Sequence, residues 1–301
     1  MKQFIWFDGK FIDFDKAKVH ILTHSLQYGS GIFEGIRSYK TSDNVEIFRL
    51  DDHIDRFFNS AKIYNMKINF DKKEIKEAII ELIKKNKLND SYIRPFLFYN
   101  DIHIGVSPFG KNTSVGIAAI PFGNYFENKN KGIRCMVSSW RRIESEILPP
   151  EAKASGNYLN SILASIEARY AGFDEAIMLS REGYVAEGPG ENIFLIKDNK
   201  LITPSKDADI LLGITRDSII TIAKEDGIDV EERLIHREEL YTADEVFFCG
   251  TAAEITPIIE IDSRKIGNGK IGSITKRLLS LYESIIRGNN KMHEDWLTFV
   301  Y

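Results

Sequence analysis

Cysteine is scarce in this chain. Cys135 and Cys249 are its two cysteines, they lie far apart, and no Cys-x-x-Cys spacing exists. Neither a zinc knot nor a thioredoxin-type redox site is indicated, no metal is expected, and the usage fits a reducing compartment. A surplus of basic charge is also missing. The formal net charge is −4 at pH 7, whereas a nucleic-acid binder usually presents a basic face. No apolar run approaches the roughly 20 residues that a membrane helix requires. The opening MKQFIWFDGKFID is too mixed in charge for a signal peptide. Neither an internal repeat nor a low-complexity segment is visible. The expectation is a cytoplasmic protein with no nucleic-acid and no membrane partner.

What is present is an ordinary globular composition. Apolar residues make up 43% and charged residues 28% of 301, the profile of a soluble protein. The length suits one large domain or two of common size. Phe4 to Phe14 reads as a hairpin, because two apolar runs flank Asp8-Gly9, a type I′ turn pair. Gly29, Gly31 and Gly35 then allow close backbone approach. Two strands follow, joined by a polar turn at Ser42 to Asn44. Leu50 to Met66 and Asp71 to Lys87 carry apolar residues at helical spacing. Ser91 to Asn100 and Ser114 to Phe122 read as strands on either side of a loop rich in Gly and Pro. The polar stretch from Gly123 to Lys131 reads as a linker.

The second half opens with a strand at Gly132 to Ser139 and a helix from about Tyr158 to Tyr170. Short strands at Glu175 to Ser180, Tyr184 to Glu187 and Asn192 to Lys197 follow. A helix from about Arg216 to Asp226, a strand at Val246 to Cys249 and a helix from about Ile274 to Arg287 complete the pattern. The expected architecture is α+β in two domains: residues 1–120, a linker at 121–132, and residues 133–301. Clefts between domains are common places for small-molecule sites.

Several side chains are candidates for chemistry. Lys153 sits in EAKASGNYLNS, among small residues, between Pro149-Pro150 and a helix. A lysine held there can lose its proton and form a Schiff base with an aldehyde cofactor. Taken alone, it reads more readily as a solvated surface lysine. Gly213 and Thr215 precede a helix, and free N–H groups at a helix start bind anions; a plain N-cap is the other reading. Thr251, after Gly250, offers a hydroxyl or simply closes a turn. Arg56 on its helix is by itself an ordinary surface charge or salt-bridge partner. Glu187 opens EGPGEN, a rigid turn that can hold a carboxylate against a ring nitrogen, or merely a solvated loop carboxylate. Tyr28, Phe33, Tyr92, Phe122, Tyr125 and Tyr158 can line an apolar pocket with hydroxyl handles, although core packing is the default for each. Tyr92 and Arg94 alternate on one strand and so share a face.

Six segments, in order, change the weighing of these alternatives. YGSGIFEGIRSY, YIRP, AKASGNYLNS, EGPGENIF, LLGITRDSII and GTAAEITP together resemble the branched-chain amino-acid aminotransferases. The resemblance runs from about Trp6 to the C-terminal helix. It implies a two-domain, D-amino-acid aminotransferase-like enzyme of fold type IV, with pyridoxal 5′-phosphate as cofactor and the active site in the interdomain cleft. It implies that Lys153, carried by the second domain, forms the Schiff base and shuttles the proton. Glu187 is implied to pair with the pyridine nitrogen. Arg56, Leu211, Ile214, Thr215 and Thr251 are implied around the cofactor, with phosphate on Arg56, Ile214, Thr215 and Thr251, and Tyr158 near its phenolic oxygen. Tyr92 with the N–H groups of Thr251 and Ala252 is implied to take the α-carboxylate. Phe33, Phe122, Tyr125 and Tyr158 are implied to form the apolar side-chain pocket, and Arg94 to receive the distal carboxylate of glutamate. Tyr28 and Val106 are implied to come from a neighbouring subunit, so the active unit is expected to be a homo-oligomer of at least two chains.

The implied reaction is reversible amino transfer between L-leucine, L-isoleucine or L-valine and 2-oxoglutarate. Phe122 stands where some relatives carry tryptophan, which implies a slightly wider pocket. His103 is expected to be an exposed loop group. The Cys-x-x-Cys of some animal relatives is absent, so no thiol switch is expected. A D-amino-acid aminotransferase or an aminodeoxychorismate lyase of the same fold would also keep Lys153, Glu187 and Arg56. YIRP with GTAAEITP favours the branched-chain type. A catalytically idle scaffold is disfavoured, because the lysine and the phosphate residues are present.

Overall fold

The computed structural model describes residues 3–129 and 131–301. Met1 and Lys2, at the start of the expected first domain, and Asn130, within the expected linker, lie outside the described residues. The chain runs β1 (Phe4–Phe7), β2 (Lys10–Asp13), α1 (His24–Tyr28), β3 (Gly31–Phe33), β4 (Ile36–Lys40), β5 (Val45–Phe48), α2 (Leu50–Ile63), α3 (Lys72–Asn86), β6 (Ser91–Tyr99) and β7 (Thr113–Pro121). Then follow β8 (Ile133–Arg141), α4 (Tyr158–Tyr170), β9 (Glu175–Leu179), β10 (Val185–Glu187), β11 (Asn192–Lys197), β12 (Lys200–Pro204), α5 (Ile214–Glu225) and β13 (Val230–Arg233). The last elements are α6 (Glu239–Thr242), β14 (Glu245–Gly250), β15 (Glu254–Ile261), β16 (Arg264–Lys265), α7 (Ser273–Ile286) and β17 (Leu297–Phe299).

These elements form two units. One comprises Met1–Gly123, Ala152–Gly156 and Ile285–Tyr301, the other Asn124–Glu151 and Asn157–Ser284. The boundary expected from sequence puts everything after residue 132, Lys153 included, in the second domain. The structure groups Lys153 and the C-terminal residues with the first unit. Backbone pairing is the reason. The Lys153 carbonyl accepts from the Phe33 N–H at 3.0 Å, Ala154 bridges to Ile32, and β17 pairs with β5.

The first unit is an eight-stranded sheet in the order β17-β5-β4-β6-β7-β1-β2, with β3 also on β6. Its hairpin turn has Asp8 at φ +43° and Gly9 at φ +85°, as a type I′ turn demands. Helix α3 starts with a full capping box: the Asp71 side chain accepts from the Glu74 N–H, and the Glu74 side chain accepts from the Asp71 N–H. Its apolar stripe packs with Leu50, Ile54 and Phe57 of α2 into one core with Ile36, Ile47, Ile93 and Leu97 of the sheet.

One interruption in this sheet positions the site. β3 and β4 pair with the same strand in one register, Phe33 opposite Phe96 and Ile36 opposite Ile93. The ladder breaks at Glu34-Gly35, opposite Arg94 and Pro95. Proline has no N–H to give, and the Pro95 carbonyl takes the Glu34 N–H at 2.9 Å. Glu34 is thereby fixed in the interior, with no exposed surface.

The second unit is a nine-stranded sheet in the order β10-β9-β8-β15-β14-β11-β12-β13, with β16 on β15. β8 runs parallel to both β9 and β15, and β12 parallel to β13, among otherwise antiparallel pairs. Helix α4 has its small residues inside. Ala164 and Ala168 pack on Ala176 and Met178, while Leu159, Ile162, Leu163 and Ile166 are exposed. Among the described residues no helix is long and apolar enough to cross a membrane. The Asp71 cap gives a first test. Asp71→Ala should cost about 1 kcal/mol of stability, read as a lower denaturant midpoint at unchanged slope.

Candidate active site

In the first unit the Glu34 carboxylate gathers its neighbours. Arg56 clamps it with Nε on Oε1 at 2.7 Å and Nη2 on Oε2 at 2.9 Å. The His53 ring lies 2.8 Å from Oε2 through Nδ1, and the Gly35 N–H reaches the same oxygen at 3.2 Å. Burial pushes the Glu34 carboxyl up, but the Arg56 guanidinium and the His53 contact outweigh it and hold the group well below the usual carboxylate range. His53 has its own balance. Burial lowers it most, Glu34 raises it, and the charges of Arg56 and Lys153 lower it further. The result is an ionised glutamate, a charged arginine and a neutral histidine, fixed on α2 together with Ser60. The Ser60 hydroxyl accepts from the Lys153 backbone N–H at 3.1 Å.

Lys153 is half-buried, and its amino group lies 5.1 Å from the centre of the Phe33 ring. Arg94 places its guanidinium carbon 4.4 Å from the same centre and donates to the Tyr92 hydroxyl at 3.0 Å. The shared face expected for Tyr92 and Arg94 is therefore present. Phe122 stacks obliquely on Tyr92, ring centres 5.1 Å apart, and lies 5.2 Å from the buried Arg37 guanidinium. A Cβ on Gly35 would overlap the Tyr92 hydroxyl, so this glycine makes room for that tyrosine. Tyr28 and Val106 are exposed. His24 ties their segments together: its Nε2 lies 3.0 Å from the Val106 carbonyl, and its ring packs on Tyr28 and His103. His103 is half-buried and bonded to the Ser107 carbonyl at 3.1 Å. The expected exposed loop group is thus a brace within the loop, because its ring has a stacking partner.

In the second unit Glu187 ends β10 with 5% exposure. Its Oε2 accepts from the Asn192 amide at 3.1 Å and the Leu211 N–H at 3.2 Å. Arg142 Nε lies 2.7 Å from Oε1. The solvated-loop alternative for Glu187 is excluded. Leu211 meets Glu187 through its backbone, and the Asn192 amide also donates to its carbonyl at 2.8 Å. Helix α5 begins at Ile214, with Gly213 as its N-cap. Thr215 therefore lies inside the first turn rather than before the helix, and is buried. The first N–H groups of a helix have no partner within it. A Cβ on Gly213 would overlap the Asn192 side chain. Thr251 and Ala252 are half-buried in the turn between β14 and β15. That turn is pinned by the Thr256 hydroxyl on the Ala253 carbonyl at 2.8 Å and by a buried Lys129–Glu254 ion pair. Tyr125 is exposed and edge-packed on the buried Phe126, and Tyr158, the first residue of α4, is half-buried.

Comparison with known proteins bears on this geometry. The family description "Amino-transferase class IV" matches residues 31–261. The chain is a class IV amino-transferase. It is 45% identical over 302 residues to a probable branched-chain-amino-acid aminotransferase of Aquifex aeolicus, covering 99% of this chain and 97% of that one. A crystal structure of branched-chain aminotransferase from Thermoproteus uzoniensis with norvaline matches with TM-score 0.96, 46% identity and full coverage of both chains. The branched-chain amino acid aminotransferase from Thermobaculum terrenum, in its PLP-form, matches at TM-score 0.95 and 38% identity, covering 100% of this chain and 99% of that one.

Four residues of this amino-transferase carry no role in the sequence reading. Glu34 and His53 organise Arg56, and Arg142 and Asn192 organise Glu187. Glu34 stands in one of the six segments, but its partners lie 19 and 22 positions away. An acid beside Gly35, among apolar residues, is the available signal. Arg142 follows Arg141 at a strand end and carries none.

Acid should expose the Glu34 cluster in two stages. His53 binds a proton less readily here than in the unfolded chain. Its contribution to stability is full above the ordinary histidine value of 6.5 and declines as pH falls below it. Glu34 contributes fully above the ordinary 4.5 and loses that contribution as pH falls further. Denaturation followed against pH should show both stages, and His53→Gln should abolish the upper one; an unchanged profile in that variant would refute the neutral buried histidine. Glu34→Gln should lose about 3–5 kcal/mol, because it strands the Arg56 charge.

Proposed function

We infer that this amino-transferase uses pyridoxal 5′-phosphate to move amino groups reversibly between L-leucine, L-isoleucine or L-valine and 2-oxoglutarate. The observation that carries this reading is the Phe33 ring, approached by the Lys153 amino group at 5.1 Å and the Arg94 guanidinium at 4.4 Å. A reacting amine, an apolar wall and a cation around one ring suit leucine-like and glutamate-like side chains in turn. The near-full-length likeness to proteins named branched-chain aminotransferases supports the same substrates. The residues present also fit the cofactor. The open start of α5 suits its phosphate, the buried Glu187 its ring nitrogen, and Lys153 its aldehyde.

When bound, pyridoxal 5′-phosphate supplies a carbonyl that takes up the amino group and a ring that accepts the electrons left on the substrate's Cα. The chain does the rest. Arg56, Thr251 and the N–H groups of Ile214 and Thr215 would bind the phosphate, and Tyr158 would meet the phenolic oxygen. Glu187 would hold the proton at the pyridine nitrogen, with Leu211 and Asn192 orienting its carboxylate. Lys153 would carry the proton between Cα and the cofactor's C4′. Tyr92 and the N–H groups of Thr251 and Ala252 hold the α-carboxylate. Phe33, Phe122, Tyr125 and Tyr158 exclude water around an apolar side chain, and Arg94 takes a distal carboxylate.

Tyr28 and Val106 act in a neighbouring subunit's site, in a homo-oligomer. Ile21, Leu26, Ile104 and Phe109 are exposed on the same two segments, an apolar surface suited to a second copy. The two cysteines are buried and free. Burial pushes both thiols up, which keeps them unreactive.

A half-reaction tests the reading. Protein loaded with cofactor should convert to the amino form with L-leucine and not with D-alanine, followed by visible absorption. Conversion by D-alanine alone would move the activity to the D-amino-acid branch of the family. Lys153→Ala should lose about 10²- to 10⁴-fold in turnover, and full turnover in that variant would refute the role of Lys153. Arg94→Ala should raise KM for glutamate more than for leucine; equal losses would remove Arg94 from specificity.

A further inference from the structure

Two buried arginines in the second unit are used differently. Arg216, 5% exposed, spends its donors on fixed oxygens: the Thr203 hydroxyl at 3.3 Å, the Pro204 carbonyl at 2.8 Å and the Glu232 carboxylate at 2.8 Å. That is the usual way to keep such a group inside a protein. Arg142 is buried nearly as deeply, with 7% of its side chain exposed. Its backbone N–H is fixed on the Leu179 carbonyl at 2.8 Å. Its Nε comes within 2.7 Å of Glu187 Oε1. Yet neither Nε nor Nη1 has a hydrogen-bond partner, so the contact is within ion-pair range but off the line of a hydrogen bond. It is a contact of charges. The opposite oxygen of Glu187 is already supplied with neutral donors, Asn192 and the Leu211 N–H.

We propose that Arg142 is a positioning residue that keeps Glu187 ionised, so that the proton shared by Glu187 and the cofactor's pyridine nitrogen resides on the nitrogen. The proposal rests on the reading of Glu187 as the partner of that nitrogen.

The physics is a competition between two bases for one proton. A carboxylate this deeply buried favours its neutral, protonated form, because the charged form has lost its hydration. A protonated Glu187 would leave the pyridine nitrogen neutral and a poor electron acceptor. Neutral donors such as Asn192 and Leu211 offset part of that desolvation. A full positive charge at contact distance offsets more, and a guanidinium does not give up its own proton. Arg142 also repels a proton on the ring. However, it touches the carboxylate directly, and a ring nitrogen paired with that same carboxylate would stand farther from the guanidinium than the carboxylate does. Coulomb energy falls with distance, so the attraction outweighs the repulsion. The proton moves between oxygen and nitrogen only, and no other reactant is required.

The test is nitrogen NMR of protein reconstituted with pyridoxal 5′-phosphate labelled at the pyridine nitrogen, recorded across neutral pH. The unaltered protein should show the shift of a protonated pyridine. Arg142→Met should displace it toward the neutral-pyridine value, and Arg142→Lys should restore most of the protonated shift. A protonated shift in Arg142→Met identical to that of the unaltered protein would overturn the proposal. If Arg142→Met does not fold or take up cofactor, Arg142→Lys and Arg142→Gln decide. The proposal then requires that lysine keep the protonated shift and glutamine lose it; any other pairing refutes it. Glu187→Gln separates the two layers. If it displaces the shift while loss of the Arg142 charge does not, the proposal fails and the role of Glu187 stands. If Glu187→Gln leaves the shift unmoved, the role of Glu187 itself fails. A purely structural Arg142 would alter melting of the cofactor-free protein without moving the nitrogen shift.

Discussion

A carboxylate with no water contact keeps its charge only if its surroundings supply both countercharge and donors. Glu34 meets that condition through Arg56, His53 and the Gly35 N–H, and much of the first unit follows from it. The acid can sit inside because the sheet ladder is interrupted opposite Pro95, where there is no N–H to pair. Helix α2 must then dock with His53 and Arg56 facing that interruption. With Arg56 clamped by two bonds, its guanidinium has one orientation instead of many. The Lys153 segment is drawn into the same neighbourhood by Ser60 and Phe33.

The second unit solves a related problem with a different result. Glu187 also sits buried against an arginine, but Arg142 faces it as a charge rather than as an aligned fork. The first pair is built for geometry, the second for potential. Arg56 is held in one orientation by two aligned bonds, whereas Glu187 faces a full charge at contact distance. Glycines at two points serve the same ends: Gly35 leaves space for the Tyr92 hydroxyl, and Gly213 leaves space for the Asn192 side chain that steadies Glu187.

Local signals are legible in the sequence. The Asp8-Gly9 turn, the helical periods of α2 and α3 and the alternation in β6 each depend on neighbours a few residues away. Strands β12, β13, β15 and β17 are not legible in the same way. β12 and β13 are short and polar or mixed, β17 pairs with a strand from the opposite end of the chain, and β15 follows directly on a turn. Periodicity marks α4 but cannot say which face turns inward. Its alanines take the inside because they lie against Ala176 and Met178. Among the site residues, those within family segments are legible by likeness. Their supports, His53 and Arg142 above all, act on groups remote in sequence and leave no local trace.

Strand β17 carries a consequence for the chain's synthesis. Leu297 to Phe299 form the edge strand beside β5, and Val300 lies in the same core as Trp6 and Ile47. Domains generally begin to fold from the N-terminal end while the ribosome is still at work. Here the first unit cannot close that way. Its core waits for Ala154 and for Val300, which follows the second unit's residues in sequence. The half of the protein that is translated first is therefore completed last. Until Leu297–Phe299 have been made, β5 presents an unpaired edge to the crowded space around the ribosome, the situation in which strands from different chains find one another.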